Sequence, residues 1–178
     1  MTHYGLVAGQ EGVLSGDCEN GFGKYRFDDG NEYEGQWQNG QQHGKGTNIF
    51  PDGATFKGDY RNGKRHGKGT YINADGGKYE GDFRDGKRHG TGTIIYHDGA
   101  MYEGEWRDDD QHGAGTYTFS NDKDTAAGTK WDWVQPGDKY EGSFEANYMC
   151  GTGSYTHLET GKTESIKVSN EEKSVEFP

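Results

Sequence analysis

Polar and apolar positions alternate in short runs along this chain, and the runs recur. In Tyr33-Glu34-Gly35-Gln36-Trp37 the two rings and the Gly between them fall on alternate positions, with polar residues interleaved. A period of two is the signature of a strand with unlike faces. The same five-residue pattern returns as Phe56-Lys57-Gly58-Asp59-Tyr60, Tyr79-Glu80-Gly81-Asp82-Phe83 and Tyr102-Glu103-Gly104-Glu105-Trp106, 23 residues apart each time. Gln10-Glu11-Gly12-Val13-Leu14 is a degraded copy, and Tyr140-Glu141-Gly142-Ser143-Phe144 is a sixth, displaced by a 15-residue insertion. A second landmark follows in each unit: His43-Gly44-Lys45-Gly46, His66-Gly67-Lys68-Gly69, His89-Gly90-Thr91-Gly92 and His112-Gly113-Ala114-Gly115. The end copies, Asn20-Gly21-Phe22-Gly23 and Cys150-Gly151-Thr152-Gly153, keep both glycines and lose the histidine.

Each unit predicts a strand, a turn, a second strand and a turn to the next unit. The first turn falls at Asn39-Gly40, Asn62-Gly63 or Asp85-Gly86, and the second at Asp29-Gly30, Asp52-Gly53, Asp75-Gly76 or Asp98-Gly99. Asn-Gly and Asp-Gly supply the positive φ of tight hairpins, and the second strands are Thr-rich, aromatic or β-branched, as in Thr93-Ile94-Ile95-Tyr96. The Gly content argues against helix, since each Gly in a helix costs about 1 kcal/mol relative to Ala. The predicted fold is all-β: an elongated, single-layer antiparallel sheet of consecutive 23-residue hairpins. It comprises an N-terminal segment 1–9, repeats 10–32, 33–55, 56–78, 79–101, 102–124 and 140–157, an insertion 125–139, and a C-terminal cap or tail 158–178. At about 4.8 Å per strand the sheet would be roughly 55 to 60 Å long and curved.

One face would carry ladders of Tyr33, Phe56, Tyr79, Tyr102 and Tyr140 beside Trp37, Tyr60, Phe83, Trp106 and Phe144, with glycines leaving room for the rings. No second layer is evident to cover them, so these ten rings are expected to line a groove for an extended peptide or a helix of a partner. On that expectation Trp37→Ala and Trp106→Ala weaken partner capture by about 1 to 2 kcal/mol or more each and leave the fold intact.

The unit Tyr79-Glu80-Gly81-Asp82-Phe83-Arg84-Asp85-Gly86-Lys87-Arg88-His89-Gly90-Thr91-Gly92-Thr93 resembles a membrane occupation and recognition nexus (MORN) repeat. The resemblance covers residues 10 to 157 apart from the insertion. It departs from the pattern at Asp109, where the hairpin Gly is replaced, at Asn121-Asp122, where Asp-Gly is lost, and at both end units. It implies a hairpin array used for docking rather than chemistry. Members include accessory domains of lipid kinases and histone methyltransferases, junctional membrane tethers, and repeat-only proteins of cilia such as those of radial spokes. Only about 21 residues follow the last repeat, so the expectation is that no separate catalytic domain is present.

Composition refines this picture. Of 178 residues 32 are Gly and only 28% are hydrophobic, too few for a thick aliphatic core, yet 12 Tyr, 8 Phe and 4 Trp argue against disorder. No window approaches the roughly 18 to 20 apolar residues of a membrane-spanning helix, and the start lacks a signal-peptide pattern, so a soluble intracellular protein is expected. Cys18 and Cys150 form no C-x-x-C pair, and a reducing cytoplasm fits. The net charge of −11 argues against nucleic acid and against unaided binding to anionic lipid. That charge is uneven, however: residues 56–78 carry six basic groups against two acidic, and 102–124 two against seven. Lys64, Arg65, Lys87 and Arg88 therefore form a small basic edge that would meet an acidic partner or phosphoinositide headgroups, or else remain a solvated turn.

Candidate chemistry is thin. His43, His66, His89 and His112 recur in register, but equivalent positions in successive hairpins lie roughly 9 to 10 Å apart. A zinc ion needs ligands at about 2.0 to 2.1 Å, so the expected role is a turn histidine bonding to local backbone. No Gly-x-Ser-x-Gly, His-Glu-x-x-His or phosphate-loop motif occurs. No catalytic residue, metal or cofactor is assigned, and the protein is read as a non-enzyme. The insertion holds Trp131 and Trp133, which either dock a partner or fold back over the sheet end. The tail alternates apolar and polar and suits a capping strand or a short partner-binding segment.

The function expected from all this is a scaffold or adaptor binding proteins through its aromatic groove. The resemblance places it in the cytoskeleton of the ciliary or flagellar axoneme, with radial-spoke or other cytoskeletal proteins as partners. A homodimer of two ribbons stays open. The alternative is a peripheral membrane tether that binds acidic phospholipid through the basic edge.

Overall fold

The computed structural model describes residues 12–121, 134–169 and 174–176. They form two compact units, divided between Lys87 and Arg88, and each is an open antiparallel sheet whose strand order is the order of the chain. In the first, β1 (Val13–Gly16), β2 (Phe22–Arg26), β3 (Glu32–Gln38), β4 (Gln41–Ile49), β5 (Thr55–Arg61), β6 (Lys64–Ile72) and β7 (Lys78–Arg84) pair each with the next. In the second, the same holds for β8 (Lys87–Ile95), β9 (Met101–Arg107), β10 (Asp110–Thr118), β11 (Lys139–Glu145), β12 (Tyr148–Thr156), β13 (Thr163–Ser169) and β14 (Ser174–Glu176). The protein is all-β, built of consecutive hairpins.

Both kinds of turn sit where the dipeptides put them. Asn39-Gly40, Asn62-Gly63 and Asp85-Gly86 have positive φ at both residues, between 50° and 92°. That is the mirror-image turn whose twist matches the flanking strands. Asp108-Asp109 and Ala146-Asn147 adopt the same conformation, so replacing the Gly by Asp109 leaves the fifth hairpin unchanged in kind. Each turn is also fastened to the hairpin before it. The amides of Gly40, Gly63, Gly86, Asp109 and Asn147 donate to the carbonyls of Glu19, Gln42, Arg65, Arg88 and Gln111. In the linking turns the Asp side chain accepts from the amide two residues on, as in Asp52 to Ala54 at 2.9 Å and Asp98 to Ala100 at 2.9 Å.

The two glycines of each His-Gly-x-Gly have different tasks. Gly67 lies at φ 62° in a β-bulge, where the register between β5 and β6 shifts. Gly46 faces Gly35 across β3 and β4, and a Cβ on it would collide with the ring of Tyr33. That ring lies flat on a floor made by the glycine pair. Phe56, Tyr102 and Tyr140 lie in the same way on Gly69, Gly115 and Gly153.

The core is therefore the aromatic face itself. The rings meet edge to face: Tyr33 with Trp37 at 5.1 Å and Tyr60 at 4.9 Å, Phe56 with Tyr60 at 5.3 Å and Phe83 at 4.9 Å, Tyr102 with Trp106 at 5.3 Å and Phe144 at 4.8 Å. Such contacts suit the ring quadrupole and add about 0.5 to 1.5 kcal/mol per pair beyond area burial.

The insertion falls in the sequence between β10 and β11, where the other repeats have a linking turn. Phe119 donates to the carbonyl of Asp138, as Tyr96 does to that of Ala100 one repeat earlier, so the repeat geometry closes across it. Asp138 is 1% exposed and fixes this junction. Its carboxylate accepts from the Tyr155 hydroxyl at 2.6 Å and from the amides of Gln135 at 3.0 Å and Leu158 at 2.9 Å.

Candidate functional site

The ten rings expected to line an open groove are interior. Tyr33, Phe56, Tyr102 and Tyr140 are 0% exposed, and Trp37, the most exposed of the ten, is 7%. This corrects the expectation of an uncovered aromatic face. It overlooked that rings on a glycine floor can lie down and tile against one another, which removes them from water without a second layer. Their polar edges are satisfied inside the sheet. The hydroxyls of Tyr33, Tyr79 and Tyr102 donate to the carbonyls of Gln36, Asp82 and Glu105. The Trp37 and Trp106 indoles donate to Gly23 and Gly92 carbonyls at 3.1 and 3.0 Å. Burial raises the phenols of Tyr33, Tyr60 and Tyr102, with Tyr102 pushed up to about 12 and Tyr33 and Tyr60 raised further.

The basic edge is likewise half of what was expected. The Arg65 guanidinium folds onto the ring face, 5.7, 5.3 and 5.4 Å from the centroids of Phe56, Tyr71 and Phe83, and donates to the Gly86 carbonyl at 2.6 Å. Arg88 lies 4.3 Å over Trp106 and donates to the Asp109 carboxylate and carbonyl. Both arginines are packing elements, because a weakly hydrated guanidinium gains more over rings than an ammonium would. Lys64 and Lys87 remain exposed.

The histidines also differ from expectation. They lie on strands at the bulge, and Nδ1 of His43, His66 and His89 is buried with no hydrogen bond, rather than bonded to backbone. For His66 and His89 the facing group is the carboxylate of the next turn, Asp85 at 3.9 Å and Asp108 at 3.5 Å. Trp131 and Trp133 lie outside the described residues.

In the first unit the aromatic face does hold a recess, of about 440 Å³. Its walls are not the flat-lying rings but residues of second strands and linking turns: Phe27, Asn48, Phe50, Arg65 and Tyr71, with Tyr60 alone from the expected set. The cause is legible in register. Tyr25, Asn48 and Tyr71 are equivalent, 23 residues apart, and Asn48 stands opposite both Tyr33 and Phe56 on the neighbouring strands. Where Tyr25 and Tyr71 in the adjacent repeats raise a ring, Asn48 raises only an amide, 5% exposed, whose Nδ2 donates to Asn31 Oδ1 at 3.3 Å. In the second unit the same positions are filled: Ile94 is 5% exposed, Tyr117 packs on Phe119 at 5.0 Å, and buried Gln111 donates to the Tyr96 hydroxyl at 2.8 Å. The 23-residue alignment could have revealed the odd Asn, but only the fold shows that its place is a gap.

The family model described as the MORN repeat matches residues 12–32, 33–55, 56–78, 79–101, 102–123 and 140–157. No curated protein matches the chain in sequence. Among solved structures, the SAS-4 (dCPAP) TCP domain of Drosophila melanogaster, in complex with a proline-rich motif of Ana2 (dSTIL), is similar at 9% identity and a TM-score of 0.32, over 93% of this chain and 95% of that one. Likeness of that degree bears on nothing beyond a general resemblance.

Proposed function

Because this chain belongs to the MORN repeat family, whose repeats commonly bind proteins or membranes, we propose that it is a non-catalytic scaffold that captures a partner protein. The observation that carries this reading is the recess around Asn48. It is a concave cleft within the size range of binding sites, walled by Phe27, Phe50, Tyr60 and Tyr71 with side-chain amides converging on it. Partner capture falls to this cleft and its rim, since the tiled rings other than Tyr60 are buried and do not line it. The membrane-tether alternative is weakened by Arg65 and Arg88, which are committed to rings and carbonyls. Placement in the ciliary or flagellar axoneme, at the radial spokes, is proposed on the resemblance alone.

The test is affinity capture of the tagged protein from ciliated cells, with mass spectrometry, beside sedimentation with anionic vesicles. Stoichiometric recovery of axonemal proteins supports both the scaffold and its location. Recovery of other proteins keeps the scaffold and removes the location. Vesicle binding without any protein partner overturns the proposal in favour of the tether.

A further inference from the structure

The recess has a shape that names its occupant. On β4 the side chain standing between Tyr33 and Phe56 is that of Asn48, and both of those rings lie down on their glycine floors. To one side Phe50 and Tyr71 are neighbours, with ring centroids 5.7 Å apart, and on the other side stands Phe27. The missing element of the repeat is therefore one ring, and the gap is walled by the rings that would have packed on it. At its base the Asn48 and Asn31 amides supply polar atoms.

The wall toward the hairpin turns adds charge. Arg65 and Lys64 both line the recess, and neither has a carboxylate partner among the described residues. The one carboxylate of the opposite rim, Asp29, accepts from the amide and the side chain of its own neighbour Asn31. In a chain of net charge −11, this is a site of local positive charge. Any acidic segment is repelled by most of the molecule and accepted here, which is how charge complementarity confers choice of partner.

We propose that the Asn48 recess is a slot for one aromatic side chain, Tyr or Phe, of a partner protein, presented in a segment whose flanking residues are acidic. The incoming ring takes the place that Tyr25 and Tyr71 fill in the adjacent repeats, stacking against Phe50 and Tyr71. A Tyr hydroxyl finds the Asn48 and Asn31 amides, and the flanking carboxylates meet the exposed ammonium of Lys64. The inference rests on the protein-binding reading above and specifies its site and ligand.

The decisive variant is Asn48→Tyr, which restores the repeat's own residue and closes the slot without removing any core ring. The probe is the acetylated, amidated peptide Asp-Glu-Tyr-Glu, titrated into the full chain and followed by amide chemical shifts. Saturable shifts are expected at Asn31, Asn48, Gly63 and Gly86. Replacing Tyr by Ala in the probe, or Asn48 by Tyr in the protein, should weaken binding by roughly tenfold or more, the worth of one anchored ring. Lys64→Glu, an exposed change, should weaken the acidic probe and not a Gln-Gln-Tyr-Gln control; it decides the question if Asn48→Tyr fails to fold. Absence of saturable shifts at millimolar peptide, or equal binding by the wild type and Asn48→Tyr, overturns the slot. If both proteins capture the same partner from cells, the slot is wrong and the scaffold stands; if only vesicles bind, both are wrong.

Discussion

Trp106 is 3% exposed, its indole N–H is bonded to Gly92, and Arg88 is stacked 4.3 Å above it. Removing such a side chain leaves a cavity and an unsatisfied carbonyl, so Trp106→Ala should destabilise the protein by about 3 to 5 kcal/mol. Urea denaturation followed by circular dichroism measures this; an unchanged midpoint would show that the ring is not core. The sequence placed Trp106 on the right face but assigned it to a partner, because alternation reports which side of a strand a residue occupies and not whether its ring stands or lies. The glycines hold the same lesson. Gly46→Ala sets a methyl against the Tyr33 ring and should cost about 1 to 3 kcal/mol, as overpacking does, with the loss visible as a lower melting temperature. Its reason is the ring above it, which the spacing of the motif does not reveal.

Among the elements, the hairpin turn was fully legible, since Asn-Gly and Asp-Gly specify a backbone that no distant contact is needed to impose. The replacement at Asp109 was legible only as a departure. In the structure Asp109 holds φ 81°, and the strain is offset because its carboxylate accepts from the Arg88 amide at 2.9 Å and from Nε at 3.3 Å. Asp109→Ala keeps the strained φ and loses those bonds, and should cost about 1 to 3 kcal/mol. Asp109→Gly trades the bonds for relief of φ and should cost less; chemical denaturation of the two variants gives the order. The insertion junction was invisible in the sequence, where Asp138 was one acidic residue among 30 Asp and Glu. With three donors on its buried carboxylate, Asp138 cannot be replaced by Ala without taking an acceptor from the Tyr155 hydroxyl and from two amides. Asp138→Ala should destabilise by about 3 kcal/mol or more, read as faster amide exchange in β11 and β12.

For the whole molecule, the substitution of aromatic for aliphatic core has a titration consequence. Tyr102 and Tyr117 are pushed up to about 12 by burial, from an ordinary value of 10.0, and Tyr33, Tyr60 and Tyr155 are raised as well. The unfolded chain releases these protons first, so the stabilisation is complete below pH 10 and is lost as pH climbs through about 12. Stability should therefore hold level up to about pH 10 and fall steeply above it, with phenolate absorbance rising together with loss of the β signal. Phenolate forming at pH 10 with the fold intact would contradict the tiled core.

By itself, the sequence determined the repeat, its strands and turns, the face each ring occupies and the family, because backbone propensity and a period of two are local properties that six copies restate. Only the tertiary structure decided that the rings lie flat and bury one another, that Arg65 and Arg88 turn inward, and that Asn48 leaves a ring-sized gap. Those outcomes depend on what stands on the neighbouring strands, so they belong to side chains brought together by the sheet and to no single stretch of chain.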